Sequence, residues 1–193
     1  ITDEDMLRVV TMVYAGLVNK NVVAKLQSLG VKALGLTGAD MDVIRSHRRP
    51  VKDIDYGFVG DVDSVDAEAI AMLVEGGVIP VIAPLTLGDG GLLLNTNADT
   101  MAGETAKAMS RLYDVTLMFC FEKKGVLLDA DDDESVIPQI TTESYAELKE
   151  RGVVSGGMLP KLDNSFKALR GGVGRVVITR SDQIGLCGTT ITL

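Results

Sequence analysis

Three polar side chains stand where an apolar run gives way to a helical pattern: Asn95, Asn97 and Asp99 in LLLNTNADTMAGETAKAM, residues 92–109. Carboxamides can donate to a carboxylate and accept from an amide, and a carboxylate can hold cations in place. The group could therefore form a ligand site. Its position supports that use, because α/β sheets bind ligands just beyond the carboxyl ends of strands, beside helix N-termini. A local role fits the same residues. Asn97 would be an N-cap, and Asp99 in the first turn would complement the positive end of the helix dipole. From this stretch alone both readings stay open.

A second candidate is VVSGGMLPKLDNSFKALRGG, residues 153–172. Ser155, Gly156 and Gly157 precede a helix, and glycine-rich turns at helix N-termini direct backbone N–H groups toward anions such as phosphate. Pro160 suits a first helical turn. Lys161 does not, since a cation there opposes the macrodipole by about 0.3–1 kcal/mol; a bound anion would reverse that cost. A lysine snorkelling beside a loop glycine pair accounts for the pattern equally well. A third stretch, FEKKGVLLD at 121–129, offers Gly125 for close backbone approach. Its Lys123 and Lys124 could meet phosphate or simply be solvated. Other chemistries lack their residues. His47 has no partner signal, and there is no C-x-x-C pair, H-E-x-x-H zinc helix, G-x-S-x-G elbow or G-x-x-x-x-G-K-[ST] loop.

These segments need a scaffold to position them. Thr2 followed by Asp3, Glu4 and Asp5 reads as an N-cap with an acidic first turn. Apolar residues then recur at helical spacing through Leu7, Val10, Val13, Tyr14, Leu17 and Val18, and on through Val22, Val23 and Leu26, with Gly30 as C-cap. That helix is long and apolar on more than one face, as at a subunit interface or in a core. VKALGLTG, 31–38, predicts a short buried strand. MDVIRSHRRPVKDIDYGFVGDVDSV alternates apolar and polar residues and carries Gly57 and Gly60, which predicts hairpins or an exposed flap. A helix over 65–75 ends at Gly76 and Gly77. VIPVIAPL lacks alternation and reads as a strand covered on both faces; LGDGG is a turn. The next helix runs to about Leu112. VTLMFCF, 115–121, is a further buried strand, and DADDDES a solvated acidic loop. Helices follow over 142–151 and from SGGMLPK to RGG, then the strand RVVITR and a last, antiparallel candidate, GTTITL. Strands alternate with helices, which predicts an α/β fold: a three-layer αβα sandwich with a mainly parallel open sheet. A boundary near Asp114 would separate residues 1–113 from 114–193 within one compact α/β unit.

The whole chain sets outer bounds. Its 193 residues suit one large domain or two small ones. Hydrophobic residues make up 46% and aromatics 4%, so the core must rest on Val, Leu, Ile, Ala and Met. A net charge of −8, with RSHRR the one basic run, argues against a nucleic-acid surface, which needs a basic stripe. Cys120 and Cys187 make no disulfide framework. Cys120 lies in an apolar run and reads as a buried thiol, and a reducing cytoplasm is the expected compartment. No run reaches the roughly 18 apolar residues of a membrane span, and no signal peptide is visible. The chain opens at Ile1 directly into a helix signal, so its natural N-terminus is expected upstream.

Taken in order, ITDEDM, GLTGAD, YGFVGDVDSVD, GVIPVIAPL, LLNTNADTMAGETAKAM, GVVSGGMLPK and GGVGRVVI resemble the amino acid kinase family. The resemblance covers essentially the whole chain, and the N-x-N-A-D and G-G-M-x-x-K pair is its most specific part. It implies that ATP phosphorylates the side-chain carboxylate of N-acetyl-L-glutamate, a step of arginine biosynthesis, giving an acyl phosphate. Residues 1–113 would bind substrate and dimerise, and residues 114–193 would bind nucleotide. By the same resemblance, Asn95 and Asn97 would contact the substrate's α-carboxylate or amide region. Asp99 would organise the catalytic lysines, and Lys161 would stabilise charge on the moving phosphoryl group. Glu122, Lys124, Gly125, Val153, Val154, Ser155, Gly156 and Gly157 would border the nucleotide. Mg2+ would be held mainly through the phosphates, with no protein metal site, and the first helix would build a homodimer or higher oligomer. Other readings are N-succinyl-L-glutamate as substrate, with Arg45, Arg48, Arg49 or Lys52 meeting its extra carboxylate; another amino acid kinase; or a non-catalytic nucleotide or amino-acid sensor. The family's K-x-G-G segment, G-G-G loop and substrate arginine are not within these residues. FCFEKKGV departs from its D-V-x-G-V turn, and SDQIGLCGTTI is shorter than usual. These 193 residues alone are therefore expected to be a poor enzyme.

Overall fold

The computed structural model describes residues 1–193, which divide into two compact units, Ile1–Ala108 and Met109–Leu193. No helix is long and apolar enough to cross a membrane. Five of the eight strand pairings are parallel, and three are antiparallel.

The first unit opens with α1 (Glu4–Val10), which continues through a π-helical stretch (Thr11–Val18) into α2 (Asn19–Ser28). Its cap is Asp3 rather than Thr2: the Asp3 carboxylate accepts from the Met6 N–H at 2.8 Å. Thr2 is buried instead, with its backbone drawn into the flap. Gly30 adopts φ 79° just beyond the helix, the left-handed conformation that suits glycine. Where the π stretch ends, the buried Asn19 ties the helix to the sheet below. Its Nδ2 donates to the Val81 carbonyl at 2.8 Å, and its Oδ1 accepts from Lys20 Nζ at 3.2 Å. A buried carboxamide costs little when both ends are matched in this way.

Beneath the helix, β1 (Ala33–Thr37) and β4 (Ile79–Ala83) pair in parallel. The run VIPVIAPL does not form one doubly covered strand. It breaks after Ala83 into β4 and β5 (Leu85–Leu87), and Ile79 at the start of β4 is exposed. Between β1 and β4 in sequence come β2 (Ile44–Arg48), β3 (Val59–Val65) and α3 (Ala67–Glu75), the last capped by Asp66. β2 and β3 form the antiparallel flap that alternation predicts. With β5 and β6 (Leu93–Thr96) they close a four-stranded barrel in the order β2-β3-β6-β5. The buried Leu94 and a hydroxyl pair, Thr86 Oγ1 to Thr96 Oγ1 at 2.8 Å, share one face of β5 and β6, and the buried Leu85 lies on the opposite face. A Cβ on Gly60 would lie 2.6 Å from Thr96 Oγ1, so glycine is needed for β3 to close on β6. From β6 the chain turns at once into α4 (Ala98–Met109).

The second unit holds a four-stranded sheet ordered β7-β9-β10-β8, from β7 (Thr116–Phe121), β8 (Gln139–Ile140), β9 (Arg175–Arg180) and β10 (Thr189–Ile191). β10 runs antiparallel to β9, and β7 parallel to it. Two helices follow β8. α5 (Thr142–Glu150) starts with a capping box between Thr141 and Ser144. α6 (Met158–Arg170) buries Leu162, Ser165, Phe166 and Leu169, the spacing of one helix face. Tyr145 of α5 stacks on Phe166 at 5.2 Å and donates to Asp163 at 2.9 Å. Burial, with that bond, pushes the Tyr145 hydroxyl up to about 12. Cys120 is exposed, not buried. On β7 the alternate residues Leu117 and Phe119 face the core, and the alternation places Cys120 on the opposite, less covered face.

Gly57 links the first helix to the flap. It has φ 73°, and a Cβ there would run into the Thr2 carbonyl. Gly57→Ala should lower unfolding stability by about 1–3 kcal/mol from backbone strain alone, with steric overlap added. Gly90→Ala is the control, with φ 65° but open space around it. Denaturant unfolding of the two variants should separate overlap from strain; equal losses would contradict the crossing.

Candidate functional site

In the first unit, β6 delivers Asn95 and the β6–α4 junction delivers Asn97 and Asp99. Asn95 lies opposite Leu85 of β5 and Val59 of β3, so its backbone is held from both sides. Its Nδ2 donates to Thr2 Oγ1 at 3.0 Å. Asn97 is a helix cap: its Oδ1 accepts from the Thr100 N–H at 2.9 Å and from Thr100 Oγ1 at 3.2 Å. Its Nδ2 remains the group it can offer a ligand. Asp99 occupies the first turn of α4, half-buried, where the helix dipole favours a carboxylate. The junction thus contains the local and the ligand reading side by side. Asn97 is spent largely on the helix, while Asn95 is tied to no helix end.

The flap carries the basic run. Each of its arginines has an acidic partner: Arg45 with Asp42 at 2.6 Å, Arg48 with Asp55 at 3.2 Å and Arg49 with Asp61 at 2.6 Å. The Arg49 guanidinium is held further toward its charged form by the Asp61 hydrogen bond. The Asp55 carboxyl is lowered by the Gly57 N–H and by Arg48. His47 is not alone, because Asp63 of the facing strand meets its Nδ1 at 2.6 Å. Sequence reading missed that pair because the two residues are joined only by strand register. A cavity of about 470 Å³ opens beside His47, Arg49, Lys52, Tyr56 and Asp61.

In the second unit, a cavity of about 180 Å³ is lined by Phe121, Lys123, Gly125, Val126, Leu127, Ala130, Val153, Ser155 and Met158. It brings together Lys123, Gly125 and Val126 of the turn singled out by sequence with Val153 and Ser155. Glu122, Lys124, Gly156 and Gly157 are not on its wall, and Val154 is buried in the core. Phe121, Leu127, Ala130 and Met158 were not singled out. Only Met158, directly after the glycine pair, carried a local signal. The close approach that Gly125 permits is to the protein itself. A Cβ there would lie 2.7 Å from Val136 Cγ1 and 2.8 Å from Thr189 Oγ1. The Thr189 hydroxyl accepts from the Val126 N–H at 2.8 Å and donates to the Ile137 carbonyl at 2.7 Å, which shapes the turn.

The two lysines of that turn are not merely solvated. Lys123 pairs with Asp133 at 2.6 Å and Lys124 with Glu134, both from the acidic loop. Each lysine is held toward its charged form by its hydrogen-bonded partner. The acidic loop is correspondingly structured: Ser135 Oγ donates to the Asp132 carbonyl at 2.7 Å and accepts from the Asp129 N–H at 3.0 Å.

α6 starts at Gly157 with no side-chain cap, and Gly156 adopts φ 54°. The N–H groups of Met158 and Leu159 donate to the Ser155 and Gly156 carbonyls at 3.2 and 3.3 Å and Pro160 has none, so an anion here would meet those of Gly156 and Gly157. Lys161, one turn in, lies over the Phe119 ring with its Nζ 5.0 Å from the centroid. A cation–π contact is worth about 0.5–2 kcal/mol and offsets the dipole cost. The lysine therefore has a partner within its own unit, and sequence spacing could not reveal it. No group of three or more His, Cys, Asp or Glu side chains is arranged to hold a metal ion.

Residues 1–180 match the model of the amino acid kinase family. The chain is 62% identical over 184 residues to the acetylglutamate kinase of Phocaeicola vulgatus and 64% identical over 184 residues to that of Bacteroides thetaiotaomicron. Each alignment covers 95% of this chain and 72% of the relative. Among solved structures, it is similar to smu.665 from Streptococcus mutans, with TM-score 0.83 and 31% identity over all of this chain and 74% of that one. The N-acetylglutamate synthase from Neisseria gonorrhoeae, complexed with coenzyme A and N-acetyl-glutamate, shares the fold at TM-score 0.84 and 22% identity, over 100% of this chain and 45% of that one.

The cap geometry makes one stability prediction. Asn97→Ala should destabilise the protein by about 0.5–2 kcal/mol, because it orphans the Thr100 N–H. Denaturant unfolding measures it, and an unchanged midpoint would mean that Asn97 does not cap α4.

Proposed function

The chain belongs to the amino acid kinase family, and we propose that it catalyses ATP-dependent phosphorylation of the side-chain carboxylate of N-acetyl-L-glutamate, a step of arginine biosynthesis. The observation that carries this reading is the likeness to acetylglutamate kinases, which runs through both the Asn95–Asp99 and the Ser155–Lys161 segments. In the reaction a carboxylate oxygen attacks the γ-phosphorus, the bond to the ADP oxygen breaks, and an acyl phosphate leaves with ADP. Both reactants are anionic, so the protein's work is positioning and charge neutralisation.

The residues divide that work. Asn95 presents a carboxamide to the α-carboxylate or amide of the acyl amino acid, with the Asn97 Nδ2 as a second donor. Gly125, Val153 and Ser155 line the second-unit cavity, whose wall combines apolar side chains with Lys123 and a hydroxyl, a composition suited to a nucleotide. The uncapped N-terminus of α6, with Gly156 and Gly157, receives phosphate oxygens. Lys161 meets charge that develops on the transferring group, and Asp99 supplies the catalytic carboxylate at the start of α4. Mg2+ would supply further charge neutralisation on ATP, held mainly through the phosphates. We assign the protein to the cytoplasm, where ATP and a biosynthetic acyl amino acid meet.

The first helix supports a homodimer. Met6, Val9, Met12, Leu17 and Val18 are exposed along it, Met12 by 64% and Leu17 by 61%. A second copy would remove this apolar stripe from water. Sedimentation at micromolar concentration should give at least twice the chain mass; a monomer would contradict the assignment.

The activity test is ADP release by the full-length gene product on N-acetylglutamate, N-succinylglutamate, glutamate and aspartate. Faster turnover of free glutamate than of acylated glutamate would overturn the substrate assignment. Lys161→Ala should lower kcat by about 10²–10³, the usual loss of one donor to developing charge, with a smaller effect on nucleotide affinity. Asp99→Asn should lower kcat at least about tenfold with stability nearly unchanged, since a first-turn carboxylate contributes only about 0.3–1 kcal/mol. A Lys161 variant retaining more than about half the rate would leave that lysine with only its packing role on Phe119.

A further inference from the structure

We infer that Thr2 is a positioning residue for substrate binding, acting through Asn95; the inference rests on the acylglutamate reading above. Asn95 has its backbone clamped: its N–H donates to the Phe58 carbonyl at 2.8 Å, between Val59 of β3 and Leu85 of β5. Backbone clamping leaves the side-chain torsions and the plane of the amide undetermined. The Thr2 hydroxyl sets them by accepting from Asn95 Nδ2 at 3.0 Å.

Thr2 is built to be an immobile acceptor. It is 4% exposed. Its N–H donates to the Tyr56 carbonyl at 2.9 Å, and its own carbonyl accepts from the Phe58 N–H at 2.7 Å. The next residue, Asp3, caps α1. Threonine is branched at Cβ and stiff at χ1, so the hydroxyl inherits the rigidity of the backbone. The Asn95 amide then keeps one Nδ2 hydrogen and its Oδ1 for a ligand. That donor–acceptor pair matches the carboxylate and amide N–H of an acylated amino acid. An amide frozen in advance loses less entropy on binding than one that must be ordered by the ligand. Because Thr2 is also bonded to the flap on both sides of Gly57, displacement of the flap root would move the hydroxyl that orients Asn95.

The test uses the full-length protein. Thr2→Val keeps the branched shape and removes the hydroxyl. It should raise KM for N-acetylglutamate about threefold to tenfold, the worth of one hydrogen bond, with kcat and the ATP KM little changed. Thr2→Ser should restore the wild-type KM. In an Asn95→Ala background the valine substitution should add nothing, since its effect passes through Asn95. An active wild type whose acylglutamate KM is unmoved in Thr2→Val, or a loss that is undiminished without Asn95, overturns the inference and leaves the activity standing. A wild type inactive on acylglutamate overturns both. Should the valine substitution prevent folding, Thr2→Ala against Thr2→Ser reads the same hydroxyl with the backbone bonds retained.

Discussion

The first unit depends on one backbone crossing. Thr2 and Gly57 pair as an isolated parallel bridge, and the approach is too close for any side chain at position 57. Through that crossing the start of a long helix, the root of a β-hairpin and a buried barrel strand share one small volume. Phe58 donates to Thr2 through its N–H and accepts from Asn95 through its carbonyl. The helix direction follows from it as well, because Asp3 can cap α1 only where Thr2 leaves it. Asn19 then repeats the device farther along, fastening the helix to β4 at the point where its winding changes. Lys20 and Gln27 add hydrogen bonds to the Gly35 and Ala33 carbonyls of β1, so the helix is fastened to the sheet along its second half.

The second unit has its own hub. Thr189 is fully buried and holds the Val126 N–H and the Ile137 carbonyl on either side of its hydroxyl. Losing that hydroxyl would leave two buried backbone groups unsatisfied, a cost of about 1–3 kcal/mol each. Around this hub the turn after β7 and the acidic loop become one wall of the cavity. The ion pairs of Lys123 and Lys124 with Asp133 and Glu134 lie at the surface, where such pairs contribute little individually. Lys123 lies on the cavity wall and Lys124 does not.

The junction at 95–99 shows how one stretch can serve folding and chemistry together. Asn97 satisfies a helix end, which any α/β turn requires, and leaves half its carboxamide over. Asn95 stands two residues earlier, inside the strand, where no helix end competes for it. Lys161 is balanced in the same manner. The Phe119 face stabilises it in its own unit, so its presence near a helix N-terminus is tolerated even without an anion. A site whose charges are already accommodated by neighbours needs less reorganisation when substrate arrives.

Local features were legible in the sequence because their causes are local. Helical and alternating periodicity located α3, α5, α6, the flap and β7, and glycines marked the ends at Gly30, Gly76 and Gly171. The pairing of the N-x-N-A-D and G-G-M-x-x-K segments pointed to the family before any geometry was available. Tertiary structure alone decided what depends on distant partners. Register brought Asp63 to His47, and loop closure brought Asp133 to Lys123. Coverage of one face of β7 left Cys120 exposed on the other, a neighbouring helix start took Thr2 away from its expected capping role, and the break after Ala83 turned one apolar run into two strands. Side-chain pattern records which face of an element is apolar, but not which element will cover it. That choice is made by contacts between residues far apart in the chain, and their energies exist only once the chain has closed on itself.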